Sequence, residues 1–242
     1  MTEFRILVAD DHPVFRLGVC ALLGAHEGWQ ICGEAADGRD AVEKCRQLKP
    51  DLLILDICMP RLNGLDAARQ ILTEDATQRI LVVTDVSSEQ VIRDCLDAGV
   101  RGWLFKSDTG DELLNAVEAL ERHKSSFSPR VSDLILDGYL RPHRVGRAAD
   151  TLPRLSPRER EVVQLLGEGN STKDVARTLN LAVKTAETHR SNIMFKLKIH
   201  SVAELVLYAV RNEIVHVPPT AALLHFPKPG TVERGLPRPG VN

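Results

Sequence analysis

Residues 52–64 read LLILDICMPRLNG. Four consecutive apolar residues open this segment, a pattern typical of a strand that is buried on both faces of a parallel sheet. Asp56 follows the strand directly, and Pro60 and Gly64 come next at intervals of four residues. Open parallel sheets hold their ligands beyond the carboxyl ends of the strands, so this carboxylate is a candidate functional group.

The sequence on both sides of this segment repeats a strand-then-helix pattern. Strands are predicted at 5–9, 30–35, 52–55, 80–84 and 102–105, and helices at 13–24, 39–48, 64–73, 88–98 and 110–123. Five such units in succession predict a parallel sheet with helices on both faces.

Polar residues gather at the predicted strand ends. Asp10 and Asp11 follow the first strand and Asp56 the third. These strands can be neighbours, which would bring three carboxylates into one crevice, where they repel unless a cation neutralises them. Mg²⁺ is the usual oxygen-binding ion beside phosphate. Thr84 and Lys106 end the fourth and fifth strands, and a hydroxyl and an ammonium group there suit the transfer of a phosphoryl group.

The composition narrows the class of protein. With 242 residues, of which 43% are hydrophobic and 26% charged, the chain has room for two globular domains. No apolar run could span a bilayer and no signal peptide is evident, so we expect a cytoplasmic protein. The five cysteines form no C-x-x-C pair and no cluster with histidine, which argues against a zinc site or a disulfide framework.

The charge is divided unevenly along the chain. Residues 1–123 carry 13 basic and 22 acidic side chains, a net charge of −9, whereas residues 152–216 carry 10 and 7, a net of +3. An acidic front joined to a mildly basic back suggests that the two halves have different partners.

The second half is predicted to be helical. The periodicity fades between 124 and 152, which indicates a linker, with a short helix at 132–140. Two capping boxes, at Ser156 and Ser171, open helices, and the pattern predicts helices at 157–167, 172–179, 183–197 and 201–211. Residues 217–242 contain six prolines and are predicted to be disordered.

Both halves resemble known families. The residues Asp10-Asp11, the pattern D-x-x-M-P-x-x-x-G at 56–64, Thr84 and Lys106 resemble the receiver domain of two-component response regulators. The segments LSPREREV (155–162), GNSTKDVA (169–176) and KTAETHRSNIM (184–194) resemble the LuxR-type helix-turn-helix. Together they resemble the NarL/FixJ family, which implies an α/β flavodoxin-like (βα)5 receiver domain over 1–123, a linker over 124–152 and an all-α helix-turn-helix domain over 153–216.

The resemblance assigns roles in the receiver. Asp56 would accept a phosphoryl group from a sensor histidine kinase, and Asp10, Asp11, Asp56 and the backbone carbonyl of Cys58 would bind Mg²⁺. Trp103 occupies the aromatic switch position of the family.

Two further residues would contact the phosphoryl group, and one departs from the family. Lys106 would pair with the phosphoryl oxygens, and Thr84 would move to hydrogen-bond them. The residue after Thr84 is Asp85, where the family usually has a small side chain. This carboxylate could obstruct the phosphodonor, or it could point outward.

Roles in DNA binding follow for the helix at 183–197, which is placed as the helix that enters the major groove. Val183, Ala186, Ile193 and Leu197 are expected to face inward. The side chains suited to phosphate contacts are Lys184, Thr185, His189 and Lys196. Those at the positions where the family reads bases are Glu187, Thr188 and Ser191, with Arg190 beside them. On the last helix, Val202, Leu205, Val206 and Ala209 resemble the dimerisation surface of the family; the alternative is a helix buried in its own domain.

We therefore predict a response regulator in which phosphorylation of Asp56 controls homodimerisation and sequence-specific binding to promoter DNA. RNA polymerase is a further candidate partner, and no membrane association is expected.

One alternative is DNA binding that is independent of phosphorylation, with the receiver serving only to dimerise, and Asp85 is the feature that keeps this alternative open. Another is a phosphatase with an aspartyl-phosphate intermediate. Asp10-Asp11-His12 lacks the second acid that such enzymes carry two residues after the nucleophile, so we expect no enzyme beyond slow self-catalysed phosphotransfer and dephosphorylation.

Overall fold

The computed structural model describes residues 3–140 and 155–215. Within those two ranges, none of the helices combines the length and the apolar character needed to cross a membrane. The strands of the first domain are β1 (Phe4–Ala9), β2 (Trp29–Ala35), β3 (Leu52–Leu55), β4 (Arg79–Thr84), β5 (Gly102–Phe105) and β6 (Ser126–Phe127). Its helices are α1 (Pro13–Gly24), α2 (Gly38–Leu48), α3 (Gly64–Glu74), α4 (Glu89–Ala98), α5 (Gly110–Glu121) and α6 (Pro129–Leu140).

The strands form one parallel sheet in the order β2-β1-β3-β4-β5-β6. β1 and β3 are neighbours, with Ala9 beside Leu55, so the residues that follow these strands emerge at the same edge. All four residues of β3 are buried, as expected for a strand with helices on both sides. The sheet separates two apolar cores, one against α2, α3 and α4 and the other against α1 and α5.

β6 was not predicted, and it corrects the linker boundary. Ser126 and Phe127 pair in parallel with Gly102 and Trp103 of β5, and Val131 of α6 is fully buried in the core beside α4. The start of the predicted linker at 124–152 is therefore part of the first domain. Two residues are too few to show the alternation that reveals a strand. Phe127 and Val131 are the apolar side chains that this segment adds to the core. The predicted helix at 132–140 begins earlier, at Pro129.

The second domain is built from four helices. They are α7 (Pro157–Gly167), α8 (Thr172–Thr178), α9 (Val183–Leu197) and α10 (Val202–Arg211). Both predicted capping boxes are present, Ser156 with Glu159 and Ser171 with Asp174. The predicted tail at 217–242 lies outside the described residues.

The apolar sides of the four helices form a third core. Ala186, Ile193 and Leu197 of α9 face this core as predicted. The expectation for Val183 was wrong: it is the first residue of α9 and lies at the surface, because the inward-facing stripe begins one turn later.

Candidate functional site

Gly64 explains the spacing of the motif after β3. A Cβ at this position would overlap the backbone carbonyl of Asp56, so only glycine lets α3 start so close to the end of β3. The Gly64 amide donates to the carbonyl of Ile57 at 2.9 Å, which closes the loop back onto the strand. The loop therefore holds Asp56 in a fixed position at the carboxyl edge of the sheet.

Asp10, Asp56 and Lys106 meet at this edge, as the sequence predicted. The Lys106 Nζ lies 2.8 Å from Asp10 Oδ2 and 2.9 Å from Asp56 Oδ2. Both aspartates are buried. One ammonium group thus bridges two carboxylates and neutralises part of their charge.

One carboxylate oxygen of this cluster is buried without a hydrogen bond. Asp56 Oδ1 has no hydrogen-bond partner among the described residues. Asp11 Oδ1 is also buried, and His12 Nδ1 lies 2.9 Å from it. Asp10, Asp11, His12 and Asp56 each offer a ligand atom within 4.8 Å of the others. Unpaired buried carboxylate oxygens are costly unless a cation satisfies them, so these residues fit an oxygen-preferring divalent ion. His12 was not predicted to take part in this cluster.

Burial shifts the pKa of several groups here. It raises the pKa of Asp10, and the hydrogen bond from Lys106 offsets this only in part. Burial alone would lower the pKa of Lys106, but the charge of Asp56 and hydrogen bonds to Asp10 and Asp56 outweigh it and raise this pKa. Burial also raises the pKa of the Cys58 thiol to about 12, so the thiol is neutral at pH 7. The backbone carbonyl of Cys58 is therefore the better cation ligand.

Thr84 and Trp103 are both buried. Thr84 ends β4, and its hydroxyl lies beside the Cys58 thiol, at the same edge of the sheet as Asp56. Trp103 is fully buried, and its Nε1 has no hydrogen-bond partner in the described parts of the chain. Its backbone carbonyl accepts a hydrogen bond at 3.0 Å from the amide of Ser128, which follows β6. The backbone of Trp103 is therefore attached to the segment that leads out of the first domain.

Asp85 is exposed. It lines an open depression of about 430 Å³ together with Phe105, Ser107 and Arg130, and it is not part of the carboxylate cluster around Asp56. The Asp85 side chain therefore lies at the surface rather than among the candidate metal ligands.

The outer face of α9 is open to solvent. Lys184, Thr185, Thr188 and Ser191 are exposed, and Glu187, His189 and Arg190 are partly exposed. Two of the predicted DNA contacts already have partners within the domain. Arg190 Nη1 donates to Thr172 Oγ1 at 2.9 Å, and Lys196 Nζ donates to Glu159 Oε2 at 2.7 Å.

The predicted dimerisation surface on α10 needs correction. Leu205 and Ala209 are fully buried against the core of their own domain, so the expectation for these two residues was wrong. Val202 is exposed and Val206 partly exposed, and the open apolar face of α10 extends to Leu207 and Val210. The helix is apolar on more than one side, and its own domain covers one of them.

The two domains touch through α7 and the loop that follows Asp56. Gln164 of α7 is buried, and its Nε2 donates to the carbonyl of Met59 at 3.1 Å. Its Oε1 accepts hydrogen bonds from the Asn63 amide at 2.8 Å and from Asn63 Nδ2 at 3.2 Å. Met59 directly follows Cys58, whose carbonyl is a candidate ligand. The second domain is thus in contact with the backbone of the site itself.

Ion pairs surround this central contact. Arg160 Nε lies 2.9 Å from Asp66 Oδ1, and Glu161 Oε2 lies 2.7 Å from Arg39 Nη2. Glu168 Oε1 accepts a hydrogen bond from the Arg61 amide at 3.1 Å. The interface is therefore mostly polar, and such groups can return to water, as is common where domains separate.

The sequence analysis missed these interface residues. The available signal was Gln164, a polar residue that interrupts the apolar run from Val162 to Leu166. A buried polar residue in an apolar run indicates a specific hydrogen-bond partner. The sequence alone does not reveal that the partner is in the other domain.

Known proteins share both domains. Residues 6–118 match the response regulator receiver domain family, and residues 153–209 match the family described as bacterial regulatory proteins, luxR family. The response regulator protein VraR of Staphylococcus aureus is 29% identical over 211 residues, which are 87% of this chain and 98% of VraR.

Solved structures of response regulators also match this chain. A two-component response regulator of the LuxR family from an Aurantimonas species is 30% identical, with a TM-score of 0.54, over 57% of this chain and 99% of that one. The RcsB response regulator of Salmonella typhimurium is 27% identical, with a TM-score of 0.53, over 86% of this chain and 98% of that one. RcsB has also been solved in complex with DNA. The matches to both domains, in this order, show that the chain belongs to the NarL/FixJ-type, LuxR-family response regulators, with a receiver ahead of a LuxR-type domain.

Proposed function

We propose that this protein is a phosphorylation-controlled regulator of transcription, in which a sensor histidine kinase transfers a phosphoryl group to Asp56. The observation that carries the proposal is the buried Asp56 carboxylate, with one oxygen paired to Lys106 and the other free of hydrogen bonds within the described residues. A nucleophile needs such a free oxygen, and a cation beside it stabilises the charge that develops on the transferred group.

The residues of the site have distinct tasks in this transfer. A free oxygen of Asp56 forms the new bond to phosphorus as the bond from phosphorus to the histidine nitrogen of the kinase breaks. Lys106 pairs with a phosphoryl oxygen, and the Thr84 hydroxyl donates a hydrogen bond to another. Asp10, Asp11, Asp56 and the Cys58 carbonyl would hold Mg²⁺, which supplies charge neutralisation when bound.

We propose no enzymatic turnover of other substrates by this protein. The aspartyl phosphate is an acyl phosphate, so water can attack the phosphorus, break its bond to the Asp56 oxygen and release inorganic phosphate, which returns Asp56 to its free state. The only chemistry that we propose for the protein alone is this slow self-hydrolysis and slow self-phosphorylation from small donors.

Promoter DNA is the proposed partner of α9. The exposed Lys184 and Thr185 and the partly exposed His189 suit phosphate contacts, which fix the register without reading sequence. Glu187, Thr188, Arg190 and Ser191 are the proposed base-reading residues, because they occupy the outer face of the helix that enters the major groove.

Homodimerisation is the proposed way to read two half-sites. The face of α10 formed by Val202, Val206, Leu207 and Val210 supports this, since an apolar strip of this kind suits contact with a second copy. RNA polymerase as a further partner, and a cytoplasmic location, stay predictions.

The contact between Gln164 and the loop after Asp56 supports a route for the signal. Phosphorylation adds negative charge next to Cys58, and the carbonyl that Gln164 binds is the next one along the chain. A small movement of this loop would weaken the docking of α7 and free the second domain to pair with a second copy. The exposed position of Asp85 supports this switch over the phosphorylation-independent alternative.

The test of the switch uses the purified full-length protein with Mg²⁺ and acetyl phosphate. Target duplexes are first selected from random DNA. Phosphorylated protein should then bind them at least tenfold more tightly than unmodified protein, which corresponds to about 1.4 kcal/mol. Anisotropy of labelled duplex measures the affinity, and sedimentation measures dimer formation. Equal affinity with and without the phosphoryl group would instead support the phosphorylation-independent alternative.

Gln164→Ala is expected to raise the DNA affinity of the unmodified protein. The variant loses the hydrogen bonds that hold α7 on the loop, which contribute roughly 1 kcal/mol each, so the second domain is released without phosphorylation. The gain on phosphorylation should shrink correspondingly. Gln47→Ala is the matched control, because Gln47 is exposed on α2. An affinity unchanged from that of the control would refute the proposed route.

Lys106→Met is expected to make the stability of the receiver depend more strongly on Mg²⁺. Removal of this cation leaves two buried carboxylates without their partner, which should cost about 3 kcal/mol in the absence of metal. Because the site becomes more negative, Mg²⁺ should bind more tightly and restore part of this loss. The Mg²⁺-induced rise in Tm, followed by tryptophan fluorescence, should exceed that of wild type and of the exposed control Lys124→Met. An equal rise in all three proteins would contradict this.

A further inference from the structure

Phe195 is an aromatic side chain on the outer face of α9. It is 88% exposed, and it takes no part in the core of its own domain. It follows Thr188 by seven residues and Ser191 by four, the spacings that place helical side chains on one face. Ala186, Ile193 and Leu197 occupy the opposite, buried side. Phe195 therefore lies on the same stripe as the proposed base-reading residues, nearer the carboxyl end of the helix.

The surroundings of Phe195 exclude some roles. The Phe195 ring makes no contribution to the packing of its domain, so the domain does not need this side chain in order to fold. The neighbouring cation, Lys196, is held by Glu159 at 2.7 Å and is directed back toward α7. This end of the stripe thus offers an apolar ring in place of an ion pair to phosphate.

The major groove offers one group that matches such a ring. Thymine carries a C5 methyl there, and apolar side chains recognise it by direct contact. Seven residues of α-helix span about 10 Å, which is on the order of three base-pair steps. A helix that presents Thr188 to one base pair can therefore present Phe195 to another about three steps away.

We propose that Phe195 is a specificity-determining residue that recognises the C5 methyl group of a thymine in each half-site. This inference rests on the proposed function, because it needs α9 to enter the major groove of DNA. It adds an apolar contact to a set of proposed base-reading residues that are otherwise polar. Deoxyribose offers a second apolar surface near the groove, and the experiment separates it from the methyl group.

The test uses full-length protein and duplexes selected from random DNA by that protein. Each thymine of the selected site is replaced in turn by deoxyuridine, which removes only the methyl group. For wild type, one replacement per half-site should weaken binding about fourfold, the effect expected for one buried methyl group. Phe195→Ala should bind the unmodified site about tenfold more weakly and should be insensitive to that replacement. Leu136→Ala, at an exposed apolar residue of α6, is the control and should behave as wild type.

Each outcome has one meaning. If wild type selects no DNA sequence, the proposed function itself fails. If wild type binds but Phe195→Ala has the same affinity and the same uracil sensitivity, Phe195 has no part in recognition and the inference is wrong. If Phe195→Ala binds more weakly while the uracil effect persists, the ring contacts sugar or another group, and methyl recognition is refuted. Circular dichroism of the variant checks that the exposed substitution leaves α9 folded.

Discussion

Asp56→Asn is expected to abolish phosphorylation by acetyl phosphate completely. Asparagine has the shape of aspartate and can still accept a hydrogen bond from Lys106, so the loop after β3 should keep its structure. It lacks the negative charge that makes a carboxylate oxygen a nucleophile, and no other carboxylate near it shares its position directly after β3. Intact mass spectrometry should show the added phosphoryl group on wild type and none on the variant.

The control for this experiment is Asp97→Asn. Asp97 is an exposed carboxylate of α4, so its removal changes the charge by the same amount without touching the site. This control should be modified at the wild-type rate. Modification of Asp56→Asn to the same extent would mean that another residue accepts the phosphoryl group, and the assignment of the site would be wrong.

Gly64→Ala should destabilise the receiver by about 3 kcal/mol or more. The added Cβ would overlap the backbone carbonyl of Asp56, and neither group can move away, because both belong to main chain fixed by β3 and α3. Relief of the overlap requires α3 to shift away from β3. Denaturant unfolding followed by tryptophan fluorescence reports this domain alone, since both tryptophans, Trp29 and Trp103, lie in it.

Gly18→Ala provides the opposite expectation within the same domain. A Cβ at Gly18 meets no atom within 4 Å, and the residue lies in the middle of α1. Alanine is the better helix former, so this variant should gain roughly 0.5 to 1 kcal/mol. Loss of stability in Gly18→Ala comparable to that in Gly64→Ala would show that the steric argument is incorrect.

Much of the receiver could be predicted because its elements carry regular patterns. All five predicted strands are present, and the largest error in their bounds is one residue, at the start of β1, β2 and β4. The meeting of Asp10 and Asp56 with Lys106 follows from a topological fact, since parallel strands bring their carboxyl ends to one edge. A pattern that fixes the topology also fixes which strand-end residues are neighbours.

Other features depend on contacts that no local pattern contains. α10 is apolar on more than one side, so periodicity could not say that Leu205 and Ala209 face the core while Val202 and Val206 do not. The hydrogen bonds of Gln164 join the two domains, and their partners are more than a hundred residues away from it in the sequence. Such contacts are decided by tertiary packing, which the residues within one helix do not encode.

The short strand β6 has a practical consequence for any receiver produced as a fragment. An unpaired strand at the margin of a sheet is a template to which another chain can add. β6 pairs with two of the four residues of β5, and Val131 fills the core behind it. A fragment that stops at residue 123 would bare β5 and open a cavity. It would then tend to associate edge to edge without any phosphoryl group, and that aggregate could be mistaken for an activated dimer. A fragment that continues through α6 avoids this false positive.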